Sequence, residues 1–511
     1  MHALLPLETD KTPRRLSGFI GGLLGRRPKA KPWHKIKYPF RLCGLCCLLA
    51  SHAANGQKEK ADIIIHSVHI VDVAANKIIP DQTVVISRER ILKTGNRQLL
   101  NRYAAPAVIN AKGKYIMPGL WDMHTHFGGG DSLIEENKNL LALYLAHGVV
   151  AVRDCAADLS GSVLKWRGEI REKKLEGPAI FTAGPKLEGY RSIWEGDLEA
   201  DNSIELAKAI DSLVNLKVDF VKITENTMKP ALYIEALQKV RAKGLKITGH
   251  IPAALTLTEA SNAGLSAIEH ITYLWRAGSR KEKEYAKAIA SGKMTSKEYN
   301  IILLNNFDTT AARQVFKQLA KNGTAVVPTI SIHRTIAYLD QDDHKNDPYL
   351  SYIGKGLQRT YAWRVERAAK DNAEAIAYRH SLAEAAAGLL PLLQKAGVTL
   401  IAGTDAGYLN SFVYPGLALH KELELMVKYG LTPQQALAAS VINGPVFFGK
   451  QKEYGAVSAG KRAELLLLND NPLQNIAASQ SIFSLVHDGR LYTREQLDRL
   501  LLKTKQQAAG K

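Results

Sequence analysis

The stretch MPGLWDMHTHFGGG, residues 117–130, carries a short apolar run into His124-Thr125-His126 and three glycines. Residues two apart on a strand point to the same face, so the two imidazoles are expected to project side by side. The glycines let the backbone turn away tightly and leave room above the imidazoles. Because imidazole is the commonest metal ligand, the stretch predicts half of a metal site at a strand end. The alternative is a chance pair of histidines in a loop, which further ligands elsewhere in the chain would exclude.

Length and composition are those of a globular protein and give no indication of nucleic-acid binding. A chain of 511 residues is too long for one compact core and indicates two or three structural units. Its hydrophobic content of 46% and charged content of 23% are ordinary for globular proteins. The net charge of +19 is unevenly spread, because residues 1–41 hold ten Lys or Arg against Glu8 and Asp10 and so carry +8 of it. No basic run with interleaved aromatic residues follows, so we expect no nucleic-acid binding.

The N-terminal residues resemble a secretory signal peptide. In residues 38–57, YPFRLCGLCCLLASHAANGQ, a basic flank precedes an apolar run (42–50) and small residues suited to cleavage near Ala53 or Gly56. We therefore expect residues 1–56 to be a basic leader with a signal peptide, and the mature chain to be exported to the periplasm or secreted. The alternatives are a twin-arginine signal at Arg14-Arg15 and a disordered basic tail on a cytoplasmic protein. The apolar run is too short for a membrane span, so none is expected in the mature chain.

From residue 61 onward the hydrophobic pattern changes twice. Residues 61–114 are short strands of period two, residues 115–445 alternate apolar runs with helical stretches, and residues 446–511 return to strands before a C-terminal tail. The candidate strands of the middle region are 115–123, 148–153, 179–184, 218–224, 245–249, 266–269, 324–330 and 398–404. This pattern predicts an α/β fold: a (β/α)₈ TIM-like barrel, with a small β-sandwich built from the N- and C-terminal segments. The long connections 276–322 and 331–390 are expected to rise over the active-site face as lids.

Four more side chains with metal-binding potential follow predicted strands at their C-terminal ends. They are Lys222, His250, His270 and Asp405. A (β/α)₈ barrel gathers these ends around one axis, so all six side chains together predict a metal centre. Nitrogen and oxygen donors of this kind suit zinc and its neighbours.

Lys222 requires a different chemistry, because a charged ammonium cannot bind a cation. A buried lysine loses its proton readily, and the neutral amine can take up carbon dioxide to become a carbamate. The oxygens of that carbamate could bridge two divalent ions. The alternative is an ordinary lysine paired with an acid at a strand end.

The motifs HTH, VKI, TGH, EH and GTDAG, in this order, resemble the metal-dependent amidohydrolase superfamily, in its imidazolonepropionase-like and Xaa-Pro-dipeptidase-like branch. The resemblance runs over residues 61–480 and includes GAVSAGKRAELLLLNDNPLQNI in the returning β segment. Ala463-Glu464 stands where family members usually have Ala-Asp, at a position far from the expected metal centre. After the third strand, AGPKLEGYRS stands where many relatives have a Gly-Gly-His turn, which bears on the substrate and not on the metal centre.

The resemblance implies a centre with two divalent metal ions, which we expect to be zinc, and a carbamate formed from carbon dioxide or bicarbonate. The implied ligands are His124, His126 and Asp405 for one ion, His250 and His270 for the other, and carboxylated Lys222 as the bridge. A hydroxide between the ions would attack an amide carbonyl. Asp405 would be the catalytic residue that takes the proton and delivers it to the leaving nitrogen.

Three residues are candidates for substrate binding. Tyr273 lies three residues after His270, and Arg191 and Arg334 follow the third and seventh strands. An arginine at either position could hold a substrate carboxylate with its planar fork. The alternatives are a packed or surface aromatic for Tyr273 and solvated loop residues for the two arginines.

The sequence therefore predicts a hydrolase of small-molecule amides, such as dipeptides or N-acyl amino acids. The first alternative is a mononuclear cyclic amidohydrolase or a deaminase. The second is a non-catalytic scaffold, although that reading fits poorly with a full set of ligand positions. A homo-oligomer is left open.

Overall fold

A computed structural model describes residues 57–510, which form a parallel β/α barrel and a second sheet on one continuous chain. This confirms the predicted α/β fold class with its TIM-like barrel and an additional β domain. The predicted leader and signal peptide of residues 1–56 lie outside the described residues. Among the helices of residues 57–510, none combines the length and the apolar character needed to cross a membrane.

The first and last segments of the described chain pair in one eight-stranded sheet, here called the terminal sheet. Its strands in spatial order are Arg490–Thr493, Ile482–His487, Leu465–Leu468, Tyr115–Pro118, Ile63–Asp72, Lys77–Ser87 and Arg90–Gly95, with Ala107–Asn110 also paired to Ile63–Asp72. Residues two apart on these strands fill one core, because alternate side chains share a face. Examples are Ile63 with Ile65, Val84 with Ile86, and Leu465 with Leu467. The sheet curls on itself, since Arg90 also bridges to Arg462, and so its two halves enclose this core.

The predicted strand 115–123 is two strands that belong to two different sheets. Tyr115–Pro118 pairs with Leu465–Leu468 in the terminal sheet, and Leu120–His126 is the first strand of the barrel. Gly119 separates them, and a Cβ added there would lie 2.5 Å from Val150 Cγ1. The prediction was wrong because the apolar run continues through this junction and gives no break in hydrophobicity.

Parallel strands form the wall of the barrel. They are Leu120–His126, Val149–Asp154, Ala179–Thr182 continued by Leu187–Gly189, Val221–Ile223, Ile247–Gly249, Ala267–Glu269 and Ala325–Val327, with Leu198–Ala200 paired outside. In place of a regular eighth strand at 398–404, Leu400 bridges in parallel to Val326, and Ala402 O accepts a hydrogen bond from Met123 N at 3.0 Å. Ala406–Gly407 then pairs with the first strand and completes the ring.

Helices alternate with these strands and cover the outside of the barrel. They are Ile134–Ala146, Ser160–Arg171, Ser203–Asn215, Pro230–Ala242, Leu257–Ala263, Thr309–Asn322, Leu390–Lys395, Leu417–Lys428, Pro433–Val441 and Asn443–Phe447. The sequence LTPQQ predicts a capping box before one of them, and Thr432 and Gln435 form it by exchanging side-chain-to-backbone hydrogen bonds. The C-terminal tail is also helical, over Arg494–Ala508, and packs against Ile134–Ala146.

The two long connections are helical. The first contains Glu282–Ala290 and Ser296–Asn306, and the second contains Ile330–Ala337, Lys355–Thr360, Ala362–Ala368 and Ala373–Ala387. Shorter elements complete the described chain: strands Glu59–Lys60 and Tyr103–Ala104, helix Leu99–Arg102, and 3₁₀ turns at Asp131–Leu133, Ile271–Gly278, Pro348–Tyr352 and Ile476–Gln480. Residues of both connections border the cavities beside the strand ends, which is where lids were expected.

A buried ion pair within the terminal sheet also contacts the segment that precedes the third barrel strand. Glu464 stands where the family usually has Asp after Ala. Its Oε2 lies 2.6 Å from His487 Nδ1, and His487 Nε2 donates a hydrogen bond to Gly177 O at 3.0 Å. Burial alone would lower the pKa of His487, but the Glu464 carboxylate outweighs burial and raises it to about 9. The folded protein therefore holds a proton here that the unfolded chain releases near pH 6.5.

This pair should make stability depend on pH. Because the folded pKa is raised, its contribution is fully present below pH about 6.5 and is lost as the pH rises through about 9. We expect the free-energy difference of unfolding between wild type and His487→Gln to be about 3 kcal/mol larger at pH 6 than at pH 10. Urea titrations of both proteins at the two pH values measure this. A difference that does not change with pH would contradict the account.

Candidate metal centre

The first ligand group lies at the end of the first barrel strand. His124 and His126 point to the same side, as their spacing predicts, and their Nε2 atoms lie 3.2 Å apart. Asp405 completes the group, because its Oδ1 lies 3.3 Å from His124 Nε2 and 3.0 Å from His126 Nε2. These three side chains are close enough to bind one ion between them.

The second ligand group comes from the fifth and sixth strands. His250 and His270 follow Ile247–Gly249 and Ala267–Glu269 directly, and their Nε2 atoms lie 3.1 Å apart. The rings of His270 and His124 have centroids 4.9 Å apart, so the two groups adjoin.

Lys222 lies beside both groups, in the middle of the short strand Val221–Ile223. Its side chain is 1% exposed, and within residues 57–510 its Nζ has no hydrogen-bond partner. It borders a cavity of about 110 Å³, here called the metal cavity, together with His126, His250, His270 and Asp405. A buried polar atom without a partner is costly, so this position fits a group that binds to Nζ or beside it. The alternative of an ordinary lysine paired with an acid does not hold in the described structure.

Each of the four imidazoles is held by its outer nitrogen. The Nδ1 contacts are His124 to Glu269 Oε2 at 2.8 Å, His126 to Ala156 O at 2.5 Å, His250 to Glu225 Oε2 at 2.8 Å, and His270 to Thr329 Oγ1 at 2.7 Å. Such contacts fix the ring orientation and leave the Nε2 lone pair free to bind a cation. The donor set therefore fits divalent ions such as zinc.

Burial sets the protonation states that metal binding requires. It lowers the pKa of His124 to about 3 and that of His270 well below its ordinary value, so both rings are neutral at pH 7. For Asp405 burial would raise the pKa, but the neighbouring histidines outweigh burial and hold it well below its usual range. Neutral imidazoles and an ionised carboxylate are the forms that bind metals.

The glycines after His126 do more than turn the chain. Gly129 and Gly130 have φ of +104° and +89°, which only glycine adopts readily. Gly128 allows Tyr408 to approach, because a Cβ there would lie 2.7 Å from Tyr408 Cδ1. Tyr408 in turn borders the metal cavity.

A buried ion pair beneath the centre was not identified as functional from the sequence. Arg153 Nη2 donates to Glu269 Oε1 at 2.7 Å and to Oε2 at 2.8 Å, and both side chains are fully buried. Burial would raise the pKa of Glu269, but Arg153 and His124 hold it well below its usual range. Glu269 is therefore a carboxylate that orients His124, and the EH motif contains a positioning residue as well as a ligand.

The three predicted substrate residues have different locations. Tyr273 lies at the site, because its ring stacks on that of His250 with centroids 5.4 Å apart and its hydroxyl donates to Glu225. Arg191 is exposed on a turn, and Arg334 donates to Glu384 and Tyr429 away from the cavities.

In the described structure neither arginine borders the metal cavity, and the role of both in substrate binding stays a prediction. For Arg334 the reason is helical rotation: the neighbouring residue His333, about 100° around the same helix, faces the cavities instead. For the segment of Arg191, Lys186 and Trp194 are the residues that reach the metal cavity. A histidine following the seventh strand was the sequence signal that could have identified His333.

Two larger cavities adjoin the metal cavity. The first has a volume of about 660 Å³ and shares His270, Arg364 and Asp405 with the metal cavity. The second has a volume of about 450 Å³ and shares His333 and Arg364 with the first. We call them the inner and the outer cavity; volumes of this size suit small-molecule ligands.

Glu269→Gln should weaken metal binding. The variant keeps the size of the side chain but removes the charge that orients His124, so we expect metal affinity to fall about 10- to 100-fold. Competition with a chelator of known affinity measures this on metal-loaded protein. The matched control is Glu282→Gln, because Glu282 is also buried but accepts a hydrogen bond from Leu257 N outside the centre. Equal affinities for the two folded variants would show that Glu269 does not position the ligand.

Comparison with known proteins identifies the family. Residues 115–491 match the model of the amidohydrolase family. The ochratoxinase of Aspergillus niger is 22% identical over 396 residues, which cover 73% of this chain and 74% of that protein.

Solved structures share the fold. A bottromycin amidohydrolase superposes with a TM-score of 0.67 at 19% identity, over 87% of this chain and 90% of the other. A Xaa-Pro dipeptidase crystallised with methionine in its active site superposes with a TM-score of 0.62 at 18% identity, over 84% and 99%. The family match covers more than half of the chain and confirms the predicted resemblance. The chain belongs to the amidohydrolase family and is a hydrolase acting on carbon–nitrogen bonds.

Proposed function

We propose that the chain hydrolyses the amide bond of a dipeptide or an N-acyl amino acid at a centre that holds two divalent ions. The observation that carries this proposal is the arrangement of two Nε2 pairs around the buried, unpartnered Nζ of Lys222. Two separate pairs suit two ions better than one. A carboxylated Lys222 would supply the oxygen donors that both ions need.

The ligand groups would divide the ions between them. His124 and His126 with Asp405 would hold the first, and His250 and His270 would hold the second. Bound divalent ions, zinc by our expectation, supply Lewis acidity and bring the pKa of water near 7.

Asp405 performs the proton transfer in this proposal. It borders both the metal cavity and the inner cavity, where the scissile amide would lie. Its carboxylate is ionised in the resting state, so it can accept a proton from the attacking water. It then delivers that proton to the leaving nitrogen, which departs as a free amine while the acyl group takes the hydroxyl.

Tyr273 acts through the second ligand group. Its hydroxyl donates to Glu225, and Glu225 holds His250 Nδ1. Burial raises the pKa of Tyr273 well above its ordinary value, with Glu225 adding to the effect, so the phenol stays protonated and keeps this hydrogen bond. Tyr273 is therefore both a wall of the inner cavity and a positioning residue for His250.

We also propose that the mature chain acts after export. Only the signal-like pattern of residues 38–57 supports this, and those residues lie almost wholly outside the described structure.

Lys222→Met tests the two-ion proposal through activity. Methionine fills the space of lysine but cannot be carboxylated, so we expect kcat for N-acetyl amino acids or Xaa-Pro dipeptides to fall at least about 100-fold. Hydrolysis is followed by the appearance of free amine across this panel.

Lys246→Met is the control, because Lys246 is a lysine that lies at the opposite end of the fifth strand, away from the ligands, with its ammonium 4.8 Å from the Phe447 ring centroid. Unchanged turnover in Lys222→Met would reject the carbamate bridge. Activity of the wild type on cyclic amides or aminated rings, and on none of the panel, would favour the mononuclear alternative.

A further inference from the structure

Arg364 occupies the junction of the three cavities. It lies on the helix Ala362–Ala368 of the second long connection (331–390), here called the second lid. Its side chain borders the metal cavity, the inner cavity and the outer cavity. The shared walls of the metal and inner cavities are otherwise His270 and Asp405, which are ligands. Arg364 is therefore the one cation of these shared walls, within the described residues, that is free to meet a substrate beside the metal centre.

The guanidinium of Arg364 is held in place by neutral acceptors. Its Nε donates to Leu409 O at 3.0 Å, and its Nη2 donates to Asn410 Oδ1 at 2.6 Å. Asn410 is itself fixed, because its Nδ2 donates to Asp405 O at 2.5 Å. The arginine is thus pre-organised by the same loop that carries Asp405.

Arg364 has no counter-charge. Within residues 57–510, Arg153, Arg334 and Arg379 each have a carboxylate within 4.0 Å, whereas Arg364 has none. Arg276, which also borders the inner cavity, has none either, but its guanidinium donates to the backbone carbonyls of residues 251, 252 and 255. Burial lowers the pKa of Arg364, and the more distant Asp405 offsets this only in part and is committed to the first ligand group. A partly buried charge without a partner is costly, so the position favours an anion supplied from outside the chain.

His333 provides a second polar group on the same wall. Its ring packs edge-on against that of His270 with centroids 5.3 Å apart, and its Nε2 is buried without a hydrogen-bond partner among residues 57–510. It borders the inner and outer cavities together with Arg364. An unsatisfied buried nitrogen next to an unpaired guanidinium describes an incomplete anion site.

We propose that Arg364 and His333 bind the free carboxylate of the amino-acid half of the substrate, which makes them determinants of specificity. In an N-acyl amino acid or dipeptide, the carboxylate and the amide nitrogen are bonded to the same carbon atom, so the groups that hold them must adjoin. Arg364 meets this requirement because it borders the metal cavity and the inner cavity at once. Its planar fork matches a carboxylate in two hydrogen bonds.

The inner cavity also indicates what surrounds that carboxylate. Its apolar walls include Ile251, Tyr299, Ile332, Ile336 and Leu382. A bulky apolar or aromatic side chain on the substrate would lose its hydration there and gain contact. The substrate class is therefore an amide of a free amino acid with a large apolar group, and this inference rests on the proposed amide hydrolysis.

The test compares one substrate with and without its negative charge. N-acetyl-L-phenylalanine and its C-terminal carboxamide are offered to the full-length, metal-loaded enzyme, and the release of acetate gives kcat/KM for each. We expect the wild type to prefer the free acid by about 100-fold, the value of a charge-assisted pair of hydrogen bonds. In Arg364→Gln this preference should fall to within a few fold, because only the acid loses a partner. Arg364→Lys should retain part of it, and His333→Phe should reduce it by a smaller factor.

Arg334→Gln is the matched control, because it removes an arginine of the same lid that forms its hydrogen bonds away from the cavities. Its preference for the acid should equal that of the wild type. An equal loss on acid and amide in Arg364→Gln, with unchanged metal content, would assign Arg364 a structural role and overturn the inference. If Arg364→Gln does not fold, Arg364→Lys replaces it in the test, and an equal loss on acid and amide in that variant overturns the inference.

The failure of this inference can be told apart from failure of the proposed function. Hydrolysis of amides by the wild type without preference for the free acid contradicts the carboxylate site alone. Absence of hydrolysis of every amide in the panel, by protein loaded with two ions, contradicts both.

Discussion

The candidate metal centre depends on how four imidazoles are held with their Nε2 atoms in close pairs, and on the burial that keeps His124 and His270 neutral. The Nε2 atoms meet in pairs at 3.2 and 3.1 Å, a spacing that two charged rings would oppose. Burial lowers the pKa of His124 and His270, and one oxygen at each Nδ1 fixes the ring that carries it. The rest of the site follows from this requirement: Glu269 must stay ionised to hold His124, and Arg153 must lie against Glu269 to keep it so.

Unusual backbone conformations after the strands direct the site side chains toward one another. Several residues of the site that are not glycine have positive φ; among them are His270, Thr329 and Asp405, with φ of +69°, +48° and +64°. Such conformations cost about 1–3 kcal/mol each and persist where the surroundings fix them. Here backbone hydrogen bonds do so, from Asp405 N to His124 O at 2.7 Å and from His270 N to Val327 O at 2.8 Å. The barrel thus stabilises turns that aim Asp405 and His270 inward.

The sequence contained enough to predict the barrel and the gathering of the six ligand candidates, for one physical reason. Parallel strands of a closed barrel end at one rim, so any polar residue that directly follows a strand is placed within reach of the others. That argument needs only the strand ends, and errors such as the split of 115–123 did not affect it.

The residues around the ligands could not be predicted in the same way. Arg153 and Glu269 are 116 positions apart, and nothing local marks them as a pair. On a helix, the difference between His333 and Arg334 is a rotation of about 100°, which the apolar pattern of a lid does not define. Arg364 lies in a helix and does not follow a barrel strand, so only the folded structure shows that it borders the metal cavity. Specificity therefore had to be determined from the structure.

The central claim is that this chain holds two divalent ions at the rim of its barrel. The most direct test is the number of ions per chain, measured by plasma mass spectrometry on full-length protein that has been produced with bicarbonate and freed of loosely bound metal. The account predicts two ions for the wild type. A single ion per chain in folded, active protein would contradict the bridged centre, and no bound ion would contradict the metal site altogether.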